Sequence, residues 1–293
     1  MTIGSNMTEF AEVTRHPFNP QERRDWYRVN SLLGEIEDTA QELGIKPEEM
    51  IHIGGTSIFY HAYHAFGSKA LPNFRGTHDM DIITFTKGAM QRVLDRLVEE
   101  SDSHVREYHT SYSHLPDKRT VHITLKDPTN PGGMSIIDID YWEFTSGAIA
   151  FNDRRMKKTR IVLDPPEKLE LPTLNPHKKR GLVVVPSLRD SFIIKMDVVD
   201  YSRLGLRAKD RIDVLTMFST CCALGYDLDY LFDALVKTSG RESAYMKLTE
   251  LEKVFVKPDG EIETMGSTNP LLPTEEQITQ VLKRIRYYKQ QVS

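Results

Sequence analysis

The chain has little cysteine: among 293 residues the thiols are those of Cys221 and Cys222, side by side in an apolar stretch. Adjacent cysteines form neither a disulfide framework nor a tetrahedral metal set, so buried, reduced thiols in a cytoplasmic protein are expected. Long apolar runs are also missing. None approaches the roughly 20 residues needed to span a bilayer, so no membrane partner is expected. Residues 1–18, MTIGSNMTEFAEVTRHPF, lack a basic stretch followed by an apolar one and do not read as a signal peptide. Strong charge of one sign is absent as well: a net charge of -4 does not announce a nucleic-acid binder. There is no internal repeat and no low-complexity segment.

What is present is enough apolar residue for a packed core and a length that fits one large domain or two ordinary ones. Positive charge gathers locally in RRMKKTR (154–160), HKKR (177–180) and RLGLRAKDR (203–211). Each is compatible with a solvated face, and convergence of all three on one acidic site would be more specific. Helical spacing of Trp26, Val29, Leu32, Leu33, Ile36 and Leu43 predicts a helix over 21–44, stopped by Gly44. A short strand is expected at 51–53, a helix from Thr56 to Phe66, extended chain after Pro72, a strand from Asp79, and a helix over 87–100. Further strands are expected at 119–126, 134–144, 160–163 and 182–185. From there the pattern is helical: 187–203, 208–223, 228–238, 244–255 and 275–290. The fold class is therefore α/β (α+β) with a mixed sheet over residues 1–185, followed by an all-α part over 186–293.

Two features stand close together in GGTSIFYHAYHAFGSKALPNFRGTHDMDI, 54–82. Gly54-Gly55 permits a tight turn and close approach of backbone to a ligand. Thr56 and Ser57 then open a helix, where free N–H groups and the helix dipole favour an anion such as phosphate. A strand-to-helix turn with a hydroxyl cap is the plain alternative. Asp79 and Asp81, two apart on a strand, present carboxylates to one face. Such like charges are costly unless a cation neutralises them, and Mg²⁺ takes carboxylate and phosphate oxygens. Asp138 and Asp140 share one face of a later strand. If that strand lies beside the first, a third carboxylate reaches the metal, with Asp138 the first choice and Asp140 the second. His52, His61, His64 and His78 show no zinc spacing and are expected to pack or face solvent.

In this order, the glycine turn, the D-x-D pair and the later acid resemble the DNA polymerase β-type nucleotidyltransferases. Gly54-Gly55-Thr56 followed by Arg75-x-Thr77-x-Asp79-Met80-Asp81 is similar to the AbiEii/AbiGii branch of bacterial toxins. Lys195, then Lys209-Asp210-Arg211-x-x-Asp213, resembles the lysine-then-KDxxD signature of the same branch. The resemblance spans about 50–218. It implies Mg²⁺ (or Mn²⁺) as cofactor, held by Asp79, Asp81 and Asp138, and an NTP as substrate. Gly54, Gly55, Thr56, Ser57, Arg75 and Lys195 would bind the nucleotide, and Lys195 and Asp210 would join the catalytic acids. It further implies transfer of an NMP to an acceptor, first among them the 3′ end of tRNA, by a toxin with a cognate antitoxin. Transfer to a protein or a small molecule, or a catalytically silent binding module, are the alternatives.

Overall fold

The computed structural model describes residues 20–77, 79–112, 118–126, 134–144, 148–152, 158–162, 165–170, 182–201, 205–256 and 269–293. Helix α1 (Pro20–Glu42) turns Trp26, Val29, Leu32, Leu33 and Ile36 inward at three- and four-residue spacing. Strand β1 (Met50–Ile53) runs directly into helix α2 (Gly54–Phe66). A short helix, α3 (Ala70–Asn73), which was not expected, ends where the extended chain begins at Phe74, and β2 (Asp79–Thr84) returns antiparallel to β1. After helix α4 (Ala89–Glu99) come β3 (Val105–Tyr112), β4 (Lys118–Lys126) and β5 (Met134–Glu143).

These strands form one mixed sheet in the order β1-β2-β5-β4-β3. The pairing of β2 with β5 is parallel, and the others are antiparallel. One face carries Met80, Ile82, Val121, Ile123, Ile137 and Ile139, all buried in the main core with residues of α1, α2 and α4. A smaller apolar cluster, Ile51, Ile53, Ile83 and Val184, lies apart from that core with Trp142 and Ile194 against it. Strand β3 was not expected. Only Val105 is fully buried in it, as befits a sheet edge with one wetted face, so no apolar alternation marks it. Two further pairs, β6 (Ala148–Asn152) with β7 (Lys158–Val162) and β8 (Glu167–Glu170) with β9 (Leu182–Val185), complete the strands among the described residues.

Past Pro186 the described chain is helical, apart from its loops: α5 (Leu188–Met196), α6 (Val198–Tyr201), α7 (Ala208–Ala223), α8 (Asp229–Thr238), α9 (Arg241–Phe255) and α10 (Glu275–Val292). The Ser187 hydroxyl caps α5 by accepting from the Asp190 N–H at 3.1 Å. The single helix expected over 187–203 is divided after Asp197, whose carboxylate pairs with the buried Lys247 ammonium of α9 at 2.5 Å. Phe192, Phe218, Phe232 and Phe255 meet as a ring cluster inside this half. Helix α2 packs on α5 and α7 as well as on β2, which explains why Gly55 to Ala62 are all buried. The main apolar core thereby runs from Trp26 to Val292 without a break at Pro186.

Candidate active site

The parallel register of β2 and β5 sets Asp79 beside Asp138 and Asp81 beside Asp140. Because side chains two apart on a strand share a face, all four carboxylates leave the sheet on the side opposite Met80 and Ile139. Strand β4 continues both rows, with His122 beside Asp138 and Thr120 beside Asp140. Each acid has a different neighbour. Asp79 accepts from the Thr77 hydroxyl at 2.7 Å, and the Lys209 ammonium stands 3.8 Å away. Asp138, about half exposed, is 2.7 Å from His122 Nδ1. Asp140 accepts from Thr120 Oγ1 at 2.5 Å and is paired with the Lys118 ammonium.

Burial drives Asp81 upward, the carboxylates of Asp79 and Asp140 drive it further, and it reaches about 7 despite Lys195 and Lys118 nearby. The β5 carboxylate that adds to this push is Asp140. Asp79 goes the other way. Burial would raise it, but the Thr77 hydroxyl, Lys209 and Arg75 outweigh that and hold it below the ordinary carboxylate value.

The glycine turn meets the acids because Ile53 pairs with Asp81, which brings the next residue over that carboxylate. Gly54 has φ +67, and a Cβ there would stand 2.3 Å from Asp81 Oδ2. Both facts require glycine. A Cβ on Gly55 would lie 2.9 Å from the Arg75 guanidinium. The missing side chains thus admit the chain's own Asp81 and Arg75. Ser57 donates its hydroxyl to the Gly54 carbonyl at 3.0 Å, and the buried Thr56 hydroxyl has no hydrogen-bond partner among the described residues. No side chain caps the first turn of α2, so its N–H groups are available to an anion.

Behind the acids lies a buried ion network. Arg75 donates through Nε and Nη2 to the two oxygens of Asp213, at 2.6 and 2.7 Å. Lys195, only 8% exposed, reaches Asp213 at 2.8 Å and Asp210 at 3.1 Å. Arg207 closes the far side of Asp210 at 2.6 Å. Burial opposes charge on Asp213, yet the Arg75 guanidinium and the Lys195 ammonium outweigh it and hold the carboxyl at about 2. Asp210 is held low against burial in the same way by Arg207 and Lys195, and Lys195 is raised by both aspartates.

Among the described residues, no three ligating side chains converge as a ready-made metal cage. The reason is local: Asp79 is turned to Thr77, Asp138 to His122 and Asp140 to Lys118 and Thr120. The donor set itself consists of carboxylate oxygens, which suits Mg²⁺ or Mn²⁺, and a cation would relieve the like charge pressing on Asp81. The residues fit a divalent ion on those grounds.

Of the residues singled out by sequence, Gly54, Asp79, Asp81, Lys195, Asp210 and Arg75 are brought together. Asp138 stands at the margin of the acids with its carboxylate aimed away along β4. His61 is buried with Nε2 2.8 Å from the Pro186 carbonyl, and burial lowers it to about 4; His64 is exposed, and His78 lies outside the described residues. The basic clusters at 154–160 and 177–180 fall outside the described side chains, while the third brings Arg207 and Lys209 to the site. Lys118 and Thr120 were not singled out, since a lysine and a threonine at a strand's start carry no signal of their own. Cys221 is buried with its thiol pushed up to about 12, mainly by burial. Among the described residues no helix is long and apolar enough to cross a membrane.

No protein-family model and no curated protein matches the chain. Among solved structures it is similar to a chain from H. pylori assigned as a nucleotidyltransferase, at 12% identity and TM-score 0.46, covering 94% of this chain and 97% of that one. It is also similar to JHP933 from Helicobacter pylori, at 11% identity and TM-score 0.45, with 94% of each chain covered. A third is the nucleotidyltransferase toxin MenT4 from Mycobacterium tuberculosis H37Rv, at 12% identity and TM-score 0.46, covering 97% of this chain and 92% of that one. At these scores the likeness is one of outline and carries no argument about this chain's chemistry.

Proposed function

We propose that the protein is a divalent-metal-dependent nucleotidyltransferase that moves an NMP from an NTP to a hydroxyl acceptor. The observation that carries this reading is the paired rows Asp79–Asp138 and Asp81–Asp140 on adjacent parallel strands, with the uncapped glycine turn on their β1 side and Lys195 near Asp81. Asp79, Asp81 and Asp140 hold the metal; Asp140 takes the place first given to Asp138, because it is the β5 acid beside Asp81. Bound there, divalent ions supply Lewis-acid stabilisation of charge on the transferring phosphoryl group. The amides of Gly55, Thr56 and Ser57 cradle the phosphates at the start of α2. Lys195, oriented by Asp210 and Asp213, adds positive charge on that flank. Arg75 acts on Asp213 rather than on the nucleotide, as a positioning residue. The acceptor hydroxyl gives up its proton to solvent as its oxygen forms a bond to the α-phosphorus, the bond to the β-phosphate oxygen breaks, and pyrophosphate leaves.

The acceptor we assign is RNA, with the 3′ end of tRNA first, in keeping with the cations Lys118, Arg207 and Lys209 around the acids. The resemblance of the ordered motifs to the AbiEii/AbiGii branch supports a toxin role with a cognate antitoxin. The test is incubation with each α-labelled NTP, Mg²⁺ and total bacterial RNA, beside the Asp79→Ala variant. Label in the tRNA band with wild type alone is the expected result. Label on protein overturns the RNA acceptor, and no label with any NTP overturns it too, in favour of a small-molecule acceptor or a silent binding module.

A further inference from the structure

Lys118 is bound in a way that the proposed reaction cannot tolerate. It begins β4, and its ammonium pairs with Asp140 while lying 5.3 Å from the centre of the Trp142 ring. Thr120 takes the other oxygen of Asp140. With both oxygens engaged, Asp140 is closed to a cation on the side that faces Asp81. The contact is therefore a substitute: a lysine ammonium supplies the positive charge that a metal-holding carboxylate otherwise lacks. It is also a weak substitute, because the lysine stem is flexible and its side chain remains 22% exposed.

Position says where the ammonium goes when it leaves. In the sheet order β1-β2-β5-β4-β3, Gly54 follows β1 on one flank of the acids and Lys118 lies on the other. In-line displacement puts the leaving pyrophosphate and the attacking hydroxyl on opposite sides of the α-phosphorus. A triphosphate held at Gly54–Ser57 leaves the β4 flank to the acceptor. The sheet face there presents Thr120, His122 and Thr124; Asp140 and Asp138 are held by Thr120 and His122, and Glu107 of β3 lies across from Thr124, so Lys118 is the cation of β4 beside the acids.

Resting on the reading above, we infer that Lys118 is a displaceable counter-ion coupling metal to acceptor. It neutralises Asp140 in the metal-free protein and, when Asp140 turns to a divalent ion, moves to a phosphate of a single-stranded polynucleotide entering over β4. Metal and acceptor then bind cooperatively, each favouring the state in which Lys118 has left Asp140.

Two measurements test this without turnover. The first is Mn²⁺ binding in the absence of nucleotide, read from the free-ion paramagnetic signal, for wild type, Lys118→Gln and Asp81→Asn. The second is fluorescence anisotropy of a labelled single-stranded RNA oligonucleotide, with and without Mn²⁺. Lys118→Gln should bind Mn²⁺ roughly three- to tenfold more tightly than wild type, and Asp81→Asn should lose it. Wild type should bind the oligonucleotide more tightly with Mn²⁺ present. Lys118→Gln should lose that gain, and Lys118→Arg should keep it. Unchanged or weaker Mn²⁺ binding by Lys118→Gln, with Asp81→Asn still defective, overturns the counter-ion role and leaves the transferase reading intact. A metal-dependent RNA gain that survives in Lys118→Gln overturns the acceptor half. Absence of any Asp81-dependent Mn²⁺ binding in wild type overturns both readings together.

Discussion

Two aspartate pairs stand within one site, and one member of the first, Asp81, is treated in the opposite way to the rest. Asp79 and Asp81, two apart on a strand, sit beside two more carboxylates, and Asp81 is pushed up to about 7. Asp210 and Asp213, three apart on a helix, are fully buried and surrounded by Lys195, Arg75 and Arg207, with Asp213 held at about 2. Burial alone would have raised all four. The difference lies in the company each keeps. The helix pair has its counter-charges built into the protein and is complete. The strand pair has a deficit of positive charge at Asp81 that Lys195 and Lys118 only partly fill, and such a deficit suits a site that takes its cation from solution.

That contrast can be broken by substitution. The largest effect expected is on chemistry: Asp79→Ala or Asp81→Ala should lower NMP transfer by about 10³-fold or more in a labelled-NTP assay. Metal-free Asp81→Asn should melt no lower than wild type, since it removes a like charge. The helix pair should respond with the opposite sign. Asp213→Asn leaves Arg75 and Lys195 short of a buried counter-charge and should cost about 3–5 kcal/mol in urea unfolding. A variant as stable as wild type would refute that network's structural role.

The pH dependence sharpens the same comparison. Asp81, raised in the fold from an ordinary 3.8, holds a proton that the unfolded chain has lost, so its contribution is fully present below about 4 and fades as pH rises to about 7. Asp213 is depressed; its contribution is present above about 4 and lost as pH falls toward 2. Metal-free Asp81→Asn should therefore gain on wild type by on the order of 3 kcal/mol between pH 4 and 7. Asp213→Asn should close its gap with wild type only in acid. Gly54→Ala should cost about 1–2 kcal/mol for its left-handed backbone and displace Asp81, weakening Mn²⁺ binding. The smallest effect belongs to Lys209→Gln, whose exposed ammonium lies 3.8 Å from Asp79; its stability should stay within about 1 kcal/mol of wild type.

The pieces of this site were legible in sequence to the extent that they are local. The alternation around Asp79 and Asp81, the glycine turn and the helices past Pro186 all follow from short-range pattern. Strand β3 was not legible, because a wetted edge strand buries little and leaves no apolar period. The pairing of Asp81 with Asp140 depends on strands that meet only in the folded sheet, so the preference for Asp138 over Asp140 in sequence had no register to draw on. Arg75 has the composition of a phosphate ligand, and its fork onto Asp213 joins positions 138 residues apart.

That separation has a consequence for when activity can begin. During synthesis the chain emerges from its N-terminus, so the glycine turn and the D-x-D strand are made well before Asp140, Lys195 and Asp213. The parallel β2–β5 pairing and the Arg75 fork are both closures of long loops, which come late and cannot be replaced by local contacts. A nascent chain stopped before residue 213 holds an arginine without its carboxylate and a lysine without its clamp. This topology withholds the completed site until the last of those residues has left the tunnel.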